Sequence, residues 1–435
     1  MAQYRVDSNK FLADSTTMFE VVQLADRYGN LIGGANPSGM AIDAFGRMRV
    51  SNPQTLFESF HRYHDNGKWS TANSATATVV LDTNASLMKL TVDTASGAYA
   101  YRETNRVFAY QPGKSLQIFE SFVFNPAQAN LVQRIGYFGS DNGLYLEQAN
   151  TTINLVKRSS SNGTLVETRV PQSQWNMDTL LGNVNSSPSH ITLDLTKSQI
   201  LFTDIEWLGV GTVRQGFVID GQLIHCHSWN HANNLDNTYM TTACLPVRQE
   251  IFNIGTTAAN STLKCICSTV ISEGGYASRS SRQRTLGQDP ANTIAMATAG
   301  TYYPLVSIRL NPIHLDGIVV PRNISVLPTA QGNYRYKLIQ GATINGATWT
   351  DFASDSVVQY NANTAATLTG GTTITSGYVP VTAQATGVIN LDPDLFRFQL
   401  ERNSFTSTPT TFTLAITSDG ATDTAVGSMD WEEIT

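Results

Sequence analysis

Metal-competent donors are concentrated in one part of the chain. His225, Cys226 and His227 are consecutive, His231 lies four residues on, and Cys265 and Cys267 follow. Imidazole and thiolate together would suit zinc. The spacing speaks against such a centre. On a strand, Cys226 points away from His225 and His227, because successive side chains alternate between faces. Structural zinc sites usually use a Cys-x2-4-Cys knuckle, and Cys265-x-Cys267 is tighter than that. His225, His227 and Cys226 stand as the metal candidates. The plainer expectation is core thiols beside surface histidines, with Cys265 and Cys267 sharing one strand face. No cofactor is expected.

Carboxylates offer a second chemistry. Some glycoside hydrolases on a concanavalin-like sandwich carry Glu-x-Asp-x-Glu along one strand, which puts a nucleophile and an acid on one face. The segment Phe202-Thr203-Asp204-Ile205-Glu206-Trp207 matches the last two acids, but Phe202 stands where the first would be. The expectation is no catalytic residue, with Asp204 and Glu206 on a sheet edge or solvent face. A degraded glycosidase is a minor alternative. No nucleophile elbow or H-E-x-x-H occurs. Gly67-Lys68 and Gly113-Lys114 lack the upstream glycine of a phosphate loop, having Arg62 and Phe108 there. Gly209 and Gly211 read as a bend between strands. The six tryptophans (Trp69, Trp175, Trp207, Trp229, Trp349 and Trp431) could form a sugar-stacking face if some point outward, although tryptophan more often lies in the core.

These residues must be placed by strands. Met88, Leu90 and Val92 alternate with polar residues, as do Leu116 and Ile118, Ile153 and Leu155, and Ile191, Leu193 and Leu195. Asp141-Asn142-Gly143, Ser161-Asn162-Gly163 and Asp220-Gly221 supply hairpin turns. Further on, Tyr334, Tyr336 and Leu338 alternate, then Phe396, Phe398 and Leu400, then Phe412, Leu414 and Ile416. Thr367 to Gly377 reads as a long loop or irregular strand. The expected fold is all-β: an extended N-terminal docking arm over 1–57, a concanavalin-like jelly-roll sandwich over 58–276, a linker over 277–300 and a C-terminal β-sandwich over 301–435.

Composition narrows the class. The chain has 435 residues, of which only 14% are charged, against about 25% in typical soluble domains. A net charge of −6 leaves no basic footprint for nucleic acid. No apolar run approaches the roughly 18 residues of a membrane helix, so membrane insertion is not expected. The first residues lack the apolar stretch of a secretory signal. Four cysteines in such a length do not make a disulfide scaffold. Free thiols in a reducing cytoplasm are expected.

One long block is Asp43-Ala-Phe-Gly-Arg-Met-Arg-Val-Ser-Asn-Pro-Gln-Thr-Leu-Phe-Glu-Ser59. Others begin at Tyr110, Arg134, Asn142, Gln174, Asp204, Gly216 and Cys267, and together they span about residues 40–276 in order. These blocks resemble virion structural proteins of tailed bacteriophages, notably marine cyanophages. The resemblance implies a particle component with a concanavalin-like or laminin-G-like sandwich body, and no catalytic activity. The reading is a non-enzymatic structural protein of the virion, assembled in the host cytoplasm as a homotrimer or ring. It would dock on capsid, tail or baseplate proteins through Phe45, Arg47, Arg49, Pro53, Leu56 and Phe57. Whether it decorates the head or attaches to the tail stays open. The alternative is a receptor-binding adhesin that grips host surface glycans.

Overall fold

Turn chemistry explains much of the strand order. Asp220 and Gly221 both take positive φ, 51° and 77°. They close the hairpin between Val213–Ile219 and Gln222–Trp229, as a two-residue loop with this backbone twist does. Gly163, at φ 77°, turns Thr152–Ser159 back onto Val166–Pro171. The computed structural model describes residues 11–14, 17–20, 52–183, 185–275, 281–380, 387–390 and 398–434. Near the N-terminus, Phe11–Asp14 pairs antiparallel with Thr17–Glu20.

The central body is two antiparallel sheets sharing one core. The seven-stranded sheet runs Val166–Pro171, Thr152–Ser159, Gly143–Ala149, Leu131–Phe138, Val247–Asn253, Tyr99–Thr104, Trp69–Asn73. The eight-stranded sheet runs Gln222–Trp229, Val213–Ile219, Gln199–Ile205, Ser115–Val123, Ser261–Glu273, Leu87–Val92, Thr78–Asp82, and Gln54–Phe60 also pairs with Ser261–Glu273. Leu90, Val92, Phe122, Ile135, Leu155 and Leu263 meet between the sheets with no exposed surface. Fully burying one such side chain is worth about 1.5–3 kcal/mol. The expected alternation at Met88, Leu90, Val92, Leu116 and Ile118 is therefore present as buried faces.

The C-terminal body is a second sandwich. Arg282–Gly287, Asp423–Ile434, Ile318–Pro328 and Gly387–Asn390 form one sheet, with Ile294–Met296 also on Asp423–Ile434. The other sheet runs Trp349–Asp351, Val358–Asn361, Tyr303–Leu310, Thr411–Ser418, Asn333–Gln340, Thr372–Pro380. Phe412, Leu414, Ile416, Leu338, Met429 and Trp431 are wholly buried in its core.

Several local expectations change. Residues 282–287 and 294–296, read as linker, are strands on the edge of the second sandwich. Ile191 to Leu195 is not a strand: one bridge, Leu181 to Thr192, is made there. The carboxylate of Asp178 instead takes up the amides of Leu180 and Ser189 and the hydroxyl of Ser187, which shapes the segment as a loop. Phe398 and Leu400 lie outside any strand, and Phe396 is outside the described residues. Thr367 to Gly377 resolves into strands Thr367–Thr369 and Thr372–Pro380 around Gly370 and Gly371. Among the described residues the one helical turn, Gln172–Gln174, is a 3-10 turn. Among the described residues no helix is long and apolar enough to cross a membrane.

The two sandwiches are joined by a buried ionic seam. Arg402 donates to Glu103 at 2.9 Å, to Asp316 at 3.1 Å and to the carbonyl of Thr104. Its amide bonds the carbonyl of Asn105 at 2.7 Å, and Gln399 reaches the carbonyl of Val107 at 3.0 Å. Ile318 and Val320 from the second sandwich enter the central core. From Glu103 the charges continue across the outer face of the seven-stranded sheet. Arg248 lies 2.8 Å from Glu103, Arg134 lies 3.4 Å from Glu250 and 2.9 Å from Glu147, and Arg169 lies 2.7 Å from Glu147. Arg158 and Glu167, 2.7 Å apart, close the series. Beneath it, Phe138, Tyr145 and Val156 form an apolar floor. Guanidinium groups of Arg134, Arg158 and Arg248 lie over these and nearby rings.

Candidate functional site

An open depression that combines exposed aromatic and polar side chains follows the Gln54–Phe60 strand. Glu58 and Phe60 project from the strand, and Arg62, Tyr63, His64, Asn66 and Lys68 close a groove of about 530 Å³. Phe60 is 60% and Tyr63 72% exposed. Exposed rings that share one groove with polar side chains make it a candidate contact surface.

The loop that carries these rings is held from below. Arg102 has no exposed surface. It donates to Asp65 at 2.9 Å, contacts Nε2 of His61 at 3.3 Å, and stacks over Trp69. Ser59 accepts from both Asn66 at 2.7 Å and the indole of Trp69 at 2.8 Å. Asn105 donates to the carbonyl of Gly67 at 2.8 Å, and its amide bonds the carbonyl of Lys68 at 2.9 Å. Gly67 sits at φ 69°, a conformation that suits glycine. Lys68 Nζ donates to the carbonyl of Glu58 at 2.7 Å. The groove is thus preorganised, with its rings on a pinned loop.

Electrostatics differ between floor and rim. Burial, reinforced by the charge of Arg102, holds His61 down at about 4, so it is neutral at physiological pH. Burial also lowers Lys68, helped by Arg106 and opposed by Glu58 and Glu401. Arg62 lies on the rim with its guanidinium 4.9 Å from the centre of the Tyr63 ring. Among the described residues it has no carboxylate within ion-pair distance.

The residues expected from sequence lie elsewhere. Leu56 and Phe57, expected to dock on a partner, are 4% and 2% exposed and belong to the central core. A register shift opposite Val270 and Ile271 lets both consecutive side chains turn inward, and Phe57 packs on Trp69 and Phe108. They fasten this strand to its own body. Pro53 is exposed, while Phe45, Arg47 and Arg49 are outside the described residues.

The histidine cluster is dispersed by packing. Cys226 is the extra residue of a bulge, with His225 opposite Gly216 and His227 opposite Gln215. Cys226 enters the core, and burial pushes its thiol well up. His225 faces the ring of Phe202. His227 packs edge-on to Trp229, and His231 stacks on Tyr239 with centroids 3.8 Å apart. The Nδ1 of His231 bonds the carbonyl of Gly211 at 2.7 Å, which leaves Nε2 to accept from Lys157 at 3.0 Å. Burial lowers His227 and His231 to about 4 each. Among the described residues no three His, Cys, Asp or Glu side chains are placed to share a metal ion. Cys265 and Cys267 do not share a face: a register shift between them buries the first and exposes the second.

The carboxylates are also not at a solvent face. Asp204 and Glu206 are 1% and 0% exposed. Arg214 clamps Asp204 through two nitrogens. Glu206 lies beyond the end of its strand and accepts from Tyr110 at 3.0 Å. None of the six tryptophans is exposed. Among the described residues, the exposed phenylalanine and tyrosine rings are Phe60, Tyr63 and Tyr378. Sequence reasoning missed the first two because it searched the indoles. The available signal was the run Phe60-His61-Arg62-Tyr63-His64, which puts aromatic and basic side chains together just past a strand.

No protein family matches this chain, and no curated protein does. Solved structures with partial likeness include a protein of unknown function from Shewanella oneidensis MR-1, with a TM-score of 0.34 and 10% identity, covering 53% of this chain and 91% of that one. A glycoside hydrolase family 16 endo-glucanase from Bacteroides ovatus has a TM-score of 0.32 and 11% identity, covering 49% and 99%. A legume lectin-like domain from Entamoeba histolytica has a TM-score of 0.30 and 7% identity, covering 49% and 95%.

Proposed function

We propose that this chain is a non-catalytic structural protein of a tailed-phage particle. The observation that carries the non-catalytic reading is the state of Asp204 and Glu206, which are buried and bonded to Arg214 and Tyr110. A glycosidic bond needs two carboxyl groups that reach it from one cleft. The particle assignment is supported by the resemblance of the blocks from Asp43 to Gly275. A body whose two sandwiches are fastened by buried ion pairs suits a durable assembly component. It assembles as a trimer or ring on other virion proteins, with the segment that precedes the Gln54–Phe60 strand as the docking arm. Mass spectrometry of density-banded particles from a phage that encodes the chain tests this. The chain should be present at a fixed multiple of another virion protein, and its absence from banded particles would overturn the assignment.

A second reading is favoured by the groove at Phe60 and Tyr63: the particle protein contacts a host surface glycan there. Exposed rings on a fixed loop supply stacking faces, and the neighbouring polar groups supply hydrogen bonds. Binding of the full chain to purified host-surface polysaccharide tests it. No binding at millimolar saccharide would close this reading and leave the first intact.

A further inference from the structure

We infer that the groove selects a carboxylated saccharide, with Arg62 taking the carboxylate and Tyr63 and Phe60 taking the pyranose face. The inference rests on the glycan-contact reading above and names its ligand class and its reading residues.

The argument starts from charge. The lining contributes Arg62 and Lys68 as cations and Glu58 as the one anion. Lys68 is committed to the carbonyl of Glu58, 2.7 Å away. Arg62 is committed to no acid among the described residues. Arg134, Arg158, Arg214, Arg248 and Arg402 each have a carboxylate within ion-pair distance, whereas Arg309 bonds the amide oxygen of Gln359 and Arg335 lies over the exposed ring of Tyr378, away from the groove. An unpaired guanidinium beside an open groove presents a planar donor fork, the geometry that binds a carboxylate through two parallel hydrogen bonds.

The second part is shape. The Arg62 guanidinium stands 4.9 Å from the Tyr63 ring centre, so it is held over one face of that ring. Phe60 stands in the same groove and is 60% exposed. A pyranose carries an apolar C–H face and a polar edge. A ring of this kind can lay its C–H face on an aromatic side chain while a carboxylate on its edge meets the guanidinium. His64 is on the lining to meet a hydroxyl group, while Asn66 holds the loop through Ser59 and the amide of Lys68. A neutral sugar would leave Arg62 without a partner and gain only the stacking.

The test is calorimetric titration of the full chain with oligogalacturonate, a carboxylated saccharide, and with neutral dextran oligosaccharides. Binding of oligogalacturonate is expected to be at least tenfold tighter than of dextran, and to weaken as salt rises from 50 to 500 mM. Arg62→Ala and Tyr63→Ala should each lose at least tenfold, and Arg62→Lys, which keeps the charge but not the fork, should recover part of the loss. Tyr378→Ala, at an exposed ring outside the groove, should change nothing. Melting curves matched to the parent show that the variants fold. Equal binding of dextran would overturn the charge argument and leave glycan contact standing. Full binding by Arg62→Ala and Tyr63→Ala would move the site away from the groove. No binding of either saccharide, or of host-surface polysaccharide, would end both the inference and the reading beneath it.

Discussion

On the outer face of the seven-stranded sheet, Arg134 meets Glu147 and Glu250 and lies over Tyr145; in the groove, Arg62 lies over Tyr63 and meets no acid among the described residues. The ring contacts are alike, and the surroundings are opposite. Glu147 is 1% and Tyr145 0% exposed, whereas Tyr63 is 72% exposed. In the first place the guanidinium has given up water for carboxylates arranged across several strands, so its bonding capacity is spent within the chain. In the second it keeps that capacity for something outside. The chemical type of a residue therefore says little about its role here. Whether its partners are already in the molecule says more.

The largest test of the comparison removes a spent arginine. Arg402→Met takes one of two cations from the buried Glu103, which keeps Arg248, and leaves the carbonyl of Thr104 unbonded. Breaking a buried pair by deleting one partner costs about 3–5 kcal/mol when nothing compensates, so with Arg248 in place the cost should fall towards the low end of that range. Calorimetry should show both the loss and a separation of one unfolding transition into two. A loss under about 1 kcal/mol would mean that the seam does not join the sandwiches.

Glu120 gives the converse case. It faces into the central core with no cation bonded to it, beside Gln249 and Ser268, and burial pushes its carboxyl well up. A carboxyl raised in the folded state contributes its full stability below the unfolded value of 4.5 and loses it as pH rises. Glu120→Gln should therefore stabilise the protein at pH 7 by up to about 3 kcal/mol. The gain should vanish towards pH 4.5, as followed by urea denaturation across pH. A gain independent of pH would show that the carboxyl is not protonated in the fold.

His61 sharpens the comparison at the groove floor. Its folded value of about 4 lies below the ordinary 6.5, so the stability it lends is present above pH 6.5 and lost as pH falls towards 4. Acid should loosen the Arg62–Tyr63 loop before the sheets, because a charged His61 meets Arg102. Hydrogen exchange of the amides from Arg62 to Lys68 between pH 7 and pH 5, corrected for intrinsic rates, checks this. Arg62→Ala should have the smallest effect of all, within about 0.5 kcal/mol of the parent in urea. A larger cost would mean that Arg62 is structural after all.

Much of the fold was legible because alternation and turns are local. Phe412, Leu414 and Ile416 are buried as their spacing requires, and Asp220-Gly221 turns as its residues allow. What failed was settled by partners distant in sequence. Ile191 to Leu195 alternates well, but Asp178 shapes it into a loop. Leu56 and Phe57 looked available, and a register shift against Ser261–Glu273 turned both inward. Cys265 and Cys267 were separated by another shift in the same strand. The groove was the least legible part. The loop is fixed by Arg102, some forty residues on, which bonds Asp65 and meets the buried His61 beneath it.

Asn105 has a mechanical meaning. One residue holds the loop at Gly67 and Lys68 and, through its carbonyl, the amide of Arg402 in the other sandwich. A tug on anything gripped at Tyr63 is handed through short hydrogen bonds to a buried ion cluster, without first stretching a flexible tether. If the groove binds as proposed, groove and seam form one load path, and a pull on a bound ligand would strain two sandwiches together.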